Sequence, residues 1–195
     1  QYLKKNNKKI FLGGFEYDFY WIYMCLNKNT LRYSDFYANG IFRDTIDNKM
    51  TIINWMHGFR GKLNRIIANN CNGIITSLYE SYLAYLPYFS GKTKYIPFPI
   101  ESFPHPHPPS KKTEKVKFYI NLKHHREEWK GKDELYSALY KLYYRHPSAC
   151  EIKQTVSPSY DECEYFMDGC DVMLDQLYSY SPGLNALYAM SKGIV

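Results

Sequence analysis

Strand-type and helical segments alternate along the second half of the chain, and this order limits the folds open to it more than any other feature. β-rich runs at residues 115–121, 150–156 and 170–177 are separated by segments whose apolar residues recur with the period of a helix. Residues 194–195 are predicted to begin a fourth strand. Strands that alternate with helices form parallel sheets with crossover helices, so the order predicts an α/β doubly wound fold.

The helices of this half carry their own start and stop signals. Ser159 and Glu162 form a Ser-x-x-Glu capping box before a helix at residues 160–168, and Gly169 favours its end. The other two helices are predicted at residues 133–146 and 183–192. Pro182 suits the first position of the second of these, which is the last helix of the chain.

The first half repeats the theme less regularly. It predicts strands at residues 8–15, 50–56, 71–77 and 93–99, and helices at residues 16–27, 61–70 and 78–89. The next segment, residues 97–114, is rich in proline and contains lysines. This composition excludes a helix or an interior strand there. We therefore expect two Rossmann-like domains, at residues 1–96 and 115–195, joined by an extended connection at residues 97–114. The chain starts without Met and stops inside the alternation, so we expect this architecture to be incomplete at both ends.

Composition limits the cellular locations and the binding partners that we expect for the protein. Five cysteines without a C-x-x-C pair argue against zinc or disulfide frameworks, and no apolar run is long enough to cross a membrane. We expect a cytoplasmic protein. The net charge of +6 permits contact with an anionic membrane surface, and the inner face of the membrane is a second expected location. No recognisable nucleic-acid module accompanies the scattered lysines, so no nucleic-acid partner is expected.

Two turns of the second half are candidate binding elements, because open parallel sheets bind ligands beyond the carboxyl ends of their strands. One turn follows the first strand and contains Arg126 and Lys130. The other precedes the last helix, where the backbone N–H groups of Gly183, Leu184 and Asn185 could hold a phosphate. If both turns leave the same sheet edge, a diphosphate between them would meet cations on one side and amides on the other.

Sequence signatures of other enzyme classes are missing. The chain has no Ser-His-Asp order, no H-E-x-x-H and no G-x-x-x-x-G-K-[ST]. Transfer from an activated phosphate ester therefore remains the natural chemistry for the two turns.

Several phrases resemble the donor-binding half of family 4-like glycosyltransferases with the GT-B fold. They are "YIPFPI", "REEWKGKDELYSAL", "EYFMDGCDVMLDQL" and "ALYAMSKGIV", in that order, and the last two are similar to a bacterial branch that builds capsular and other surface polysaccharides. The resemblance covers residues 95–195. It implies a transferase that moves a sugar from a nucleoside-diphosphate sugar to a glycan or lipid-linked acceptor, with retention of configuration and without metal or cofactor.

The resemblance also implies roles for particular residues. Arg126 and Lys130, the latter in a Lys-Gly pair, match the residues that bind the donor diphosphate. The loop and helix that follow the third strand match the part that holds donor sugar or ribose, which implies Gln176, Tyr180, Ser181 and Tyr188. The family usually has two Glu residues at the places of Tyr180 and Tyr188. A phenol is uncharged at neutral pH, so a non-catalytic nucleotide- or sugar-binding module of the same fold is the alternative.

The acceptor side is less defined in the sequence. Gly13, Gly14, Asp18 and His57 lie at predicted turns or at a strand exit of the first half, and they are candidates to face the acceptor. Asp18 could equally be an exposed helix residue, and His57 a packed loop residue.

Overall fold

The computed structural model describes residues 2–6, 8–27, 30–38, 40–100, 115–122, 130–178, 180 and 182–195. The chain divides into two compact units, Gln1–Pro99 and Ile100–Val195. Each unit contains a parallel sheet with helices between its strands, so the fold is α/β and compatible with a Rossmann-like architecture. Within the described residues, none of the helices has the length and apolar character needed to cross a membrane.

The sheet of the first unit has three parallel strands in the order β1-β4-β5. These strands are β1 (Phe11–Gly14), β4 (Gly73–Thr76) and β5 (Thr93–Tyr95). A small antiparallel hairpin of β2 (Tyr37–Ala38) and β3 (Ile41–Phe42) interrupts the β1–β4 connection. The sequence analysis did not predict this hairpin, whose strands are only two residues long.

The helices of the first unit are α1 (Tyr2–Lys5), α2 (Phe19–Leu26), α3 (Ile46–Ile52), α4 (Phe59–Asn70) and α5 (Tyr79–Phe89). A π-helical turn, Ile53–His57, joins α3 to α4. The core combines α2, α4, α5 and β4, and its fully buried members include Ile22, Phe36, Ala68, Ile74 and Tyr85.

The strand predicted at residues 50–56 is wrong, because this stretch is helical. The Thr45 hydroxyl accepts the backbone N–H of Asn48 at 3.2 Å, which caps α3, and Asp47 lies in the first turn. Ile46, Met50 and Ile53 then follow one another at the spacing of one helix face. The local cap and this spacing outweigh the β propensity of the isoleucines.

The second unit contains β6 (Val116–Leu122), α6 (Lys132–Arg145), β7 (Cys150–Val156), α7 (Tyr160–Met167), β8 (Val172–Leu174) and α8 (Leu184–Ser191). Its three strands are parallel in the order β7-β6-β8. The chain therefore moves from β6 to a neighbour on one side and then crosses to the other side. Between β6 and β8 lies the point at which the direction of winding reverses.

Local signals explain most boundaries of this unit. The capping box is present, since the Ser159 hydroxyl accepts from Glu162 N and the Glu162 carboxylate accepts the Ser159 N–H at 2.8 Å. Gly169 and Gly193 follow their helices with φ of +71° and +80°, as a glycine stop requires. The core contains Tyr119, Met167, Ala189 and Ile194.

Three predictions near the end of the chain are corrected. The strand predicted at residues 170–177 covers only Val172–Leu174. Helix α8 begins at Leu184 with Gly183 as its N-cap, so Pro182 lies before the helix and not at its first position. Residues 194–195 are not part of a strand, although Val195 exchanges backbone hydrogen bonds with Met173 at 2.8 Å and Asp171 at 3.1 Å.

Candidate functional site

The carboxyl end of the second sheet brings the two predicted turns together. The turn after β6 contains Lys130, and the turn after β8 runs from Asp175 to the start of α8. These are the two strands on either side of the reversal in the β7-β6-β8 order. Open parallel sheets bind ligands at this reversal, so the topology alone marks this edge as the candidate site of the unit.

Direct contacts hold the two turns against each other. The backbone N–H of Leu177 donates to the carbonyl of Lys130 at 2.6 Å, and the Tyr178 hydroxyl donates to Glu134 Oε1 at 2.9 Å. Lys132, whose exposed fraction is only 3%, donates from Nζ to the carbonyl of Leu174 at 3.1 Å. The arrangement of the turns is therefore fixed by hydrogen bonds and does not depend on a ligand.

Gly131 allows this close packing. Its φ of +66° lies in the left-handed region, and a Cβ atom there would come within 2.8 Å of Leu177 Cβ. A side chain would thus be strained in its backbone and would also push the second turn away. Gly131 is therefore needed here for the close packing of the two turns.

Asp175 lies where the two turns meet. The exposed fraction of its side chain is 9%, and Lys130 Nζ stands 4.0 Å from Oδ1. Within the described part of the chain, the other oxygen, Oδ2, is buried and has no hydrogen-bond partner. A buried carboxylate oxygen without a donor is unfavourable, so this atom is a candidate acceptor for a hydroxyl or N–H of a ligand.

The start of α8 faces the same carboxylate. A Cβ atom on Gly183 would stand 3.0 Å from Asp175 Oδ2, so any other residue at this position would crowd the oxygen. Among the described residues, no side chain caps this helix, and the N–H groups of its first turn have no carbonyl one turn earlier to bind. The edge thus combines a cation, helix amides that attract anions and one carboxylate acceptor.

The other residues predicted for the donor side differ in their exposure to solvent. Gln176 is half-buried, Tyr180 is exposed, and Tyr188 is buried in the core with Lys192 Nζ 5.1 Å from its ring centroid. Arg126 and Ser181 lie outside the described residues. Lys130 and Gly183 are the predicted residues that lie beside Asp175. Leu184 and Asn185 follow Gly183 in the first turn of α8.

Asp18 of the first unit is a buried N-cap. Its Oδ1 accepts the Trp21 N–H at 2.9 Å, and its Oδ2 accepts the Tyr85 hydroxyl at 2.6 Å. Burial raises the pKa of this carboxyl above its ordinary value, although the hydrogen bonds oppose the shift. Both oxygens are satisfied by the protein, which is the arrangement of a structural carboxylate.

The remaining acceptor-side candidates occupy different surroundings. Gly13 and Gly14 form the end of β1, where a Cβ atom would come within 2.5 Å of the Phe15 ring or 2.8 Å of the Tyr85 ring. His57 is exposed at the end of the π-helical turn and lines an open depression with Lys62 and Arg65. The structure therefore places Gly13 and Asp18 around one pocket and His57 at another.

Asp175 and two asparagines were missed by the sequence analysis. Asp175 was placed inside a longer predicted strand, whereas it directly follows the real end of β8, where ligand-binding side chains concentrate. Asn64 and Asn121 each have a buried Oδ1 that finds no hydrogen-bond donor among the described residues. A single asparagine in a helix or strand carries no sequence signal of this kind.

Comparison with known proteins identifies no relative. No protein family, no curated protein and no solved structure matches the chain. Among the described residues, no group of three or more His, Cys, Asp and Glu side chains could hold a metal ion. The geometry of the two units is therefore the basis for the proposals that follow.

Proposed function

We propose that the chain is a GT-B-type glycosyltransferase that moves a sugar from a nucleoside-diphosphate sugar to a glycan or lipid-linked acceptor in surface-polysaccharide synthesis. The second unit binds the donor, and the reaction is retaining and independent of metal. The support is the family-like order of phrases in residues 95–195 together with the geometry at the reversal of the second sheet.

One observation carries the proposal: Lys130 and Gly183, at the start of α8, lie next to the same side chain, Asp175. All three are at the carboxyl end of the parallel strands. The ammonium and the helix amides are the groups that bind the diphosphate. As the bond between sugar and phosphate breaks, negative charge grows on the leaving diphosphate, and fixed positive groups stabilise that charge.

Asp175 has a different role, because a carboxylate repels phosphate. Its unpartnered Oδ2 accepts a hydrogen bond from a hydroxyl of the donor sugar or ribose. This carboxylate supplies the negative charge that is missing at the exposed Tyr180 and the buried Tyr188. Lys130, 4.0 Å from Oδ1, lies between it and the phosphates and moderates the repulsion.

Release of nucleoside diphosphate from a panel of UDP-, GDP- and other nucleotide sugars tests the function. The wild-type protein is expected to release nucleotide from one donor in the presence of acceptor, and Lys130→Ala is expected to lower kcat/KM. The loss corresponds to about 1–3 kcal/mol for a charged hydrogen bond to phosphate. Lys141→Ala, an exposed lysine of α6 far along the helix, is the matched control. An equal rate in Lys130→Ala would contradict this site.

A second candidate is a binding module of the same fold without catalysis. It is favoured by the burial of Tyr188, whose exposed fraction is 8% and whose ring packs in the core of the unit. Such a module binds nucleotide sugar without releasing nucleotide. Saturable binding with no turnover for any acceptor would support it against the transferase.

A further inference from the structure

Lys132 is a buried cation next to the candidate site of the second unit. It is the first residue of α6, and only 3% of it is exposed, whereas the neighbouring Asp133 and Glu134 are exposed to solvent. A lysine is rarely this buried, because its ammonium loses its hydration and only strong contacts offset that loss. An apolar side chain would fill the same position without this cost, so the charge of Lys132 indicates a specific contact.

This contact is made with the end of strand β8. Lys132 Nζ donates to the carbonyl oxygen of Leu174 at 3.1 Å, and Leu174 is the last residue of the strand. Leu174 is also the last residue of β8 in register with β6, where it pairs with Ile120, although β6 itself continues to Leu122. The lysine therefore holds the chain at the point where the pairing between the two strands stops.

Asp175 is the next residue after this contact. It lies beyond the last paired residue of β8, so the position of its backbone depends on contacts outside the ladder with β6. The exposed fraction of its side chain is 9%, and its Oδ1 stands 4.0 Å from Lys130 Nζ. A hydrogen bond to a ligand hydroxyl is lost when the acceptor moves by about 1 Å, so the backbone at Leu174 must be held in place for Asp175 to bind one.

The two lysines of the Lys-Gly-Lys segment differ in what they can reach. The side chain of Lys130 is 32% exposed, so its ammonium can turn to a phosphate group of a ligand. Lys132 is too buried to contact a ligand, so it affects binding through its charge and through the groups that it holds. The backbone that carries Asp175 is such a group.

We propose that Lys132 is a positioning residue of the donor site, which holds the Asp175 carboxylate where it accepts a hydroxyl of the donor sugar or ribose. This role rests on the proposed function. It divides recognition of the donor between the two lysines, because Lys130 contacts the phosphates and Lys132 acts through Asp175 on the sugar or ribose. A lysine that only stabilised the fold would affect both parts of the donor alike.

Calorimetry with UDP-glucose, UDP-galactose, UDP-N-acetylglucosamine, GDP-mannose and inorganic pyrophosphate tests this division. In Lys132→Met, the dissociation constant of the nucleotide sugar is expected to rise about threefold to tenfold more than that of pyrophosphate, as for one lost hydrogen bond. Pyrophosphate carries at least as much negative charge as a nucleotide sugar, so loss of the lysine charge alone would not give this order. Lys141→Met, at an exposed position of α6, is the matched control and is expected to bind both ligands like the wild type.

A double-mutant cycle shows whether the effect passes through Asp175. Asp175→Asn is expected to weaken binding of the nucleotide sugar by itself. Adding Lys132→Met to it is expected to change the ratio of the two dissociation constants by less than about twofold, because the group that Lys132 positions has already lost its charge. Independent effects of the two substitutions would multiply instead, and a multiplied effect in the folded double variant would overturn the proposal.

Thermal denaturation separates loss of binding from loss of fold. If Lys132→Met does not fold, Lys132→Gln, which keeps a polar group on a shorter side chain, takes its place with the same expected order. An equal rise for both ligands in a folded variant, or the absence of folded protein for both substitutions, would overturn the role of Lys132 and leave the proposed function standing. Failure of the wild type to bind any of the nucleotide sugars would contradict the proposed function, and this role with it.

Discussion

Two buried carboxylates, one in each unit, differ in how far the protein itself satisfies them. Asp18 receives the Trp21 N–H and the Tyr85 hydroxyl, one on each oxygen. Asp175 has a lysine 4.0 Å from one oxygen and no described donor on the other. Each lies in the segment between a strand of a parallel sheet and the next helix, Asp18 at the start of α2 and Asp175 directly after β8, so position alone does not distinguish them.

The difference separates support from binding. A carboxylate whose lone pairs are taken up by a helix N-terminus and a buried phenol stabilises the fold and has little left for a ligand. A buried carboxylate with an open oxygen costs stability until a ligand supplies a donor. We therefore assign Asp18 to the frame of the first unit and propose that Asp175 contacts the ligand of the second.

The largest predicted effect is the loss of Asp18. Asp18→Ala removes the N-cap of α2 and leaves the Tyr85 hydroxyl buried without an acceptor, so the free energy of unfolding should fall by about 2–4 kcal/mol. Chemical denaturation measures the change. If Asp18→Ala were as stable as the wild type, the distinction between the two carboxylates would fail.

The packing of the two turns of the second unit is tested by glycine substitutions. Gly131→Ala should cost about 2–3 kcal/mol, since it adds a contact with Leu177 Cβ to the strain of a left-handed residue. Gly169→Ala shares the positive φ but has open space around it, so about 1 kcal/mol is expected. Equal losses in thermal denaturation would show that the turns are not packed as described.

Asp175→Asn should have a smaller effect on stability, within about 1 kcal/mol of the wild type and of either sign. The amide keeps the shape of the side chain and removes a buried charge that has one open oxygen. Binding of the nucleotide sugar should weaken, while binding of inorganic pyrophosphate, which has neither sugar nor ribose, is retained. Calorimetry with both ligands measures this difference in binding. A large loss of stability would instead show that Asp175, like Asp18, mainly stabilises the fold.

The smallest predicted effect concerns pH. Hydrogen bonds from Ser159 lower the pKa of the exposed Glu162 below its ordinary value of 4.5, so its contribution to stability is complete above that value and is lost as pH falls through the folded-state pKa. Burial raises the pKa of Asp18, so the cost of its charge is full above the folded-state pKa and is relieved in acid.

Glu162→Gln should therefore flatten part of the acid destabilisation of the protein. Denaturation curves of the variant and the wild type from neutral pH down to below 4.5 measure it. A variant that loses stability in acid as steeply as the wild type would show that the capping box does not carry this dependence.

Local signals predicted the second unit more closely than the first. The capping box of Ser159 and Glu162 and the stop at Gly169 are both present, because each depends only on neighbouring residues. The strand predicted from Met50 to Met56 was wrong. Apolar side chains on one helix face have a pattern similar to that of a buried strand, and the cap at Thr45 is what identifies the helix. Short β-type runs are ambiguous for this reason.

The candidate site was predictable in part. Lys130 and Gly183 could be named from the rule that turns after parallel strands bind ligands. Asp175 could not, because its position depends on where β8 ends, and strand ends are set by pairing with a distant strand. The open oxygen of Asn64 also depends on a partner far along the chain, Tyr85.

Titration of the protein with UDP, GDP and other nucleoside diphosphates in a calorimeter tests the central claim most directly. The wild type and Lys141→Ala should bind one of them with the same dissociation constant, and Lys130→Ala should bind it about fivefold to a hundredfold more weakly. Absence of binding to every diphosphate, or equal binding by Lys130→Ala, would contradict a nucleotide-sugar site at the reversal of the second sheet.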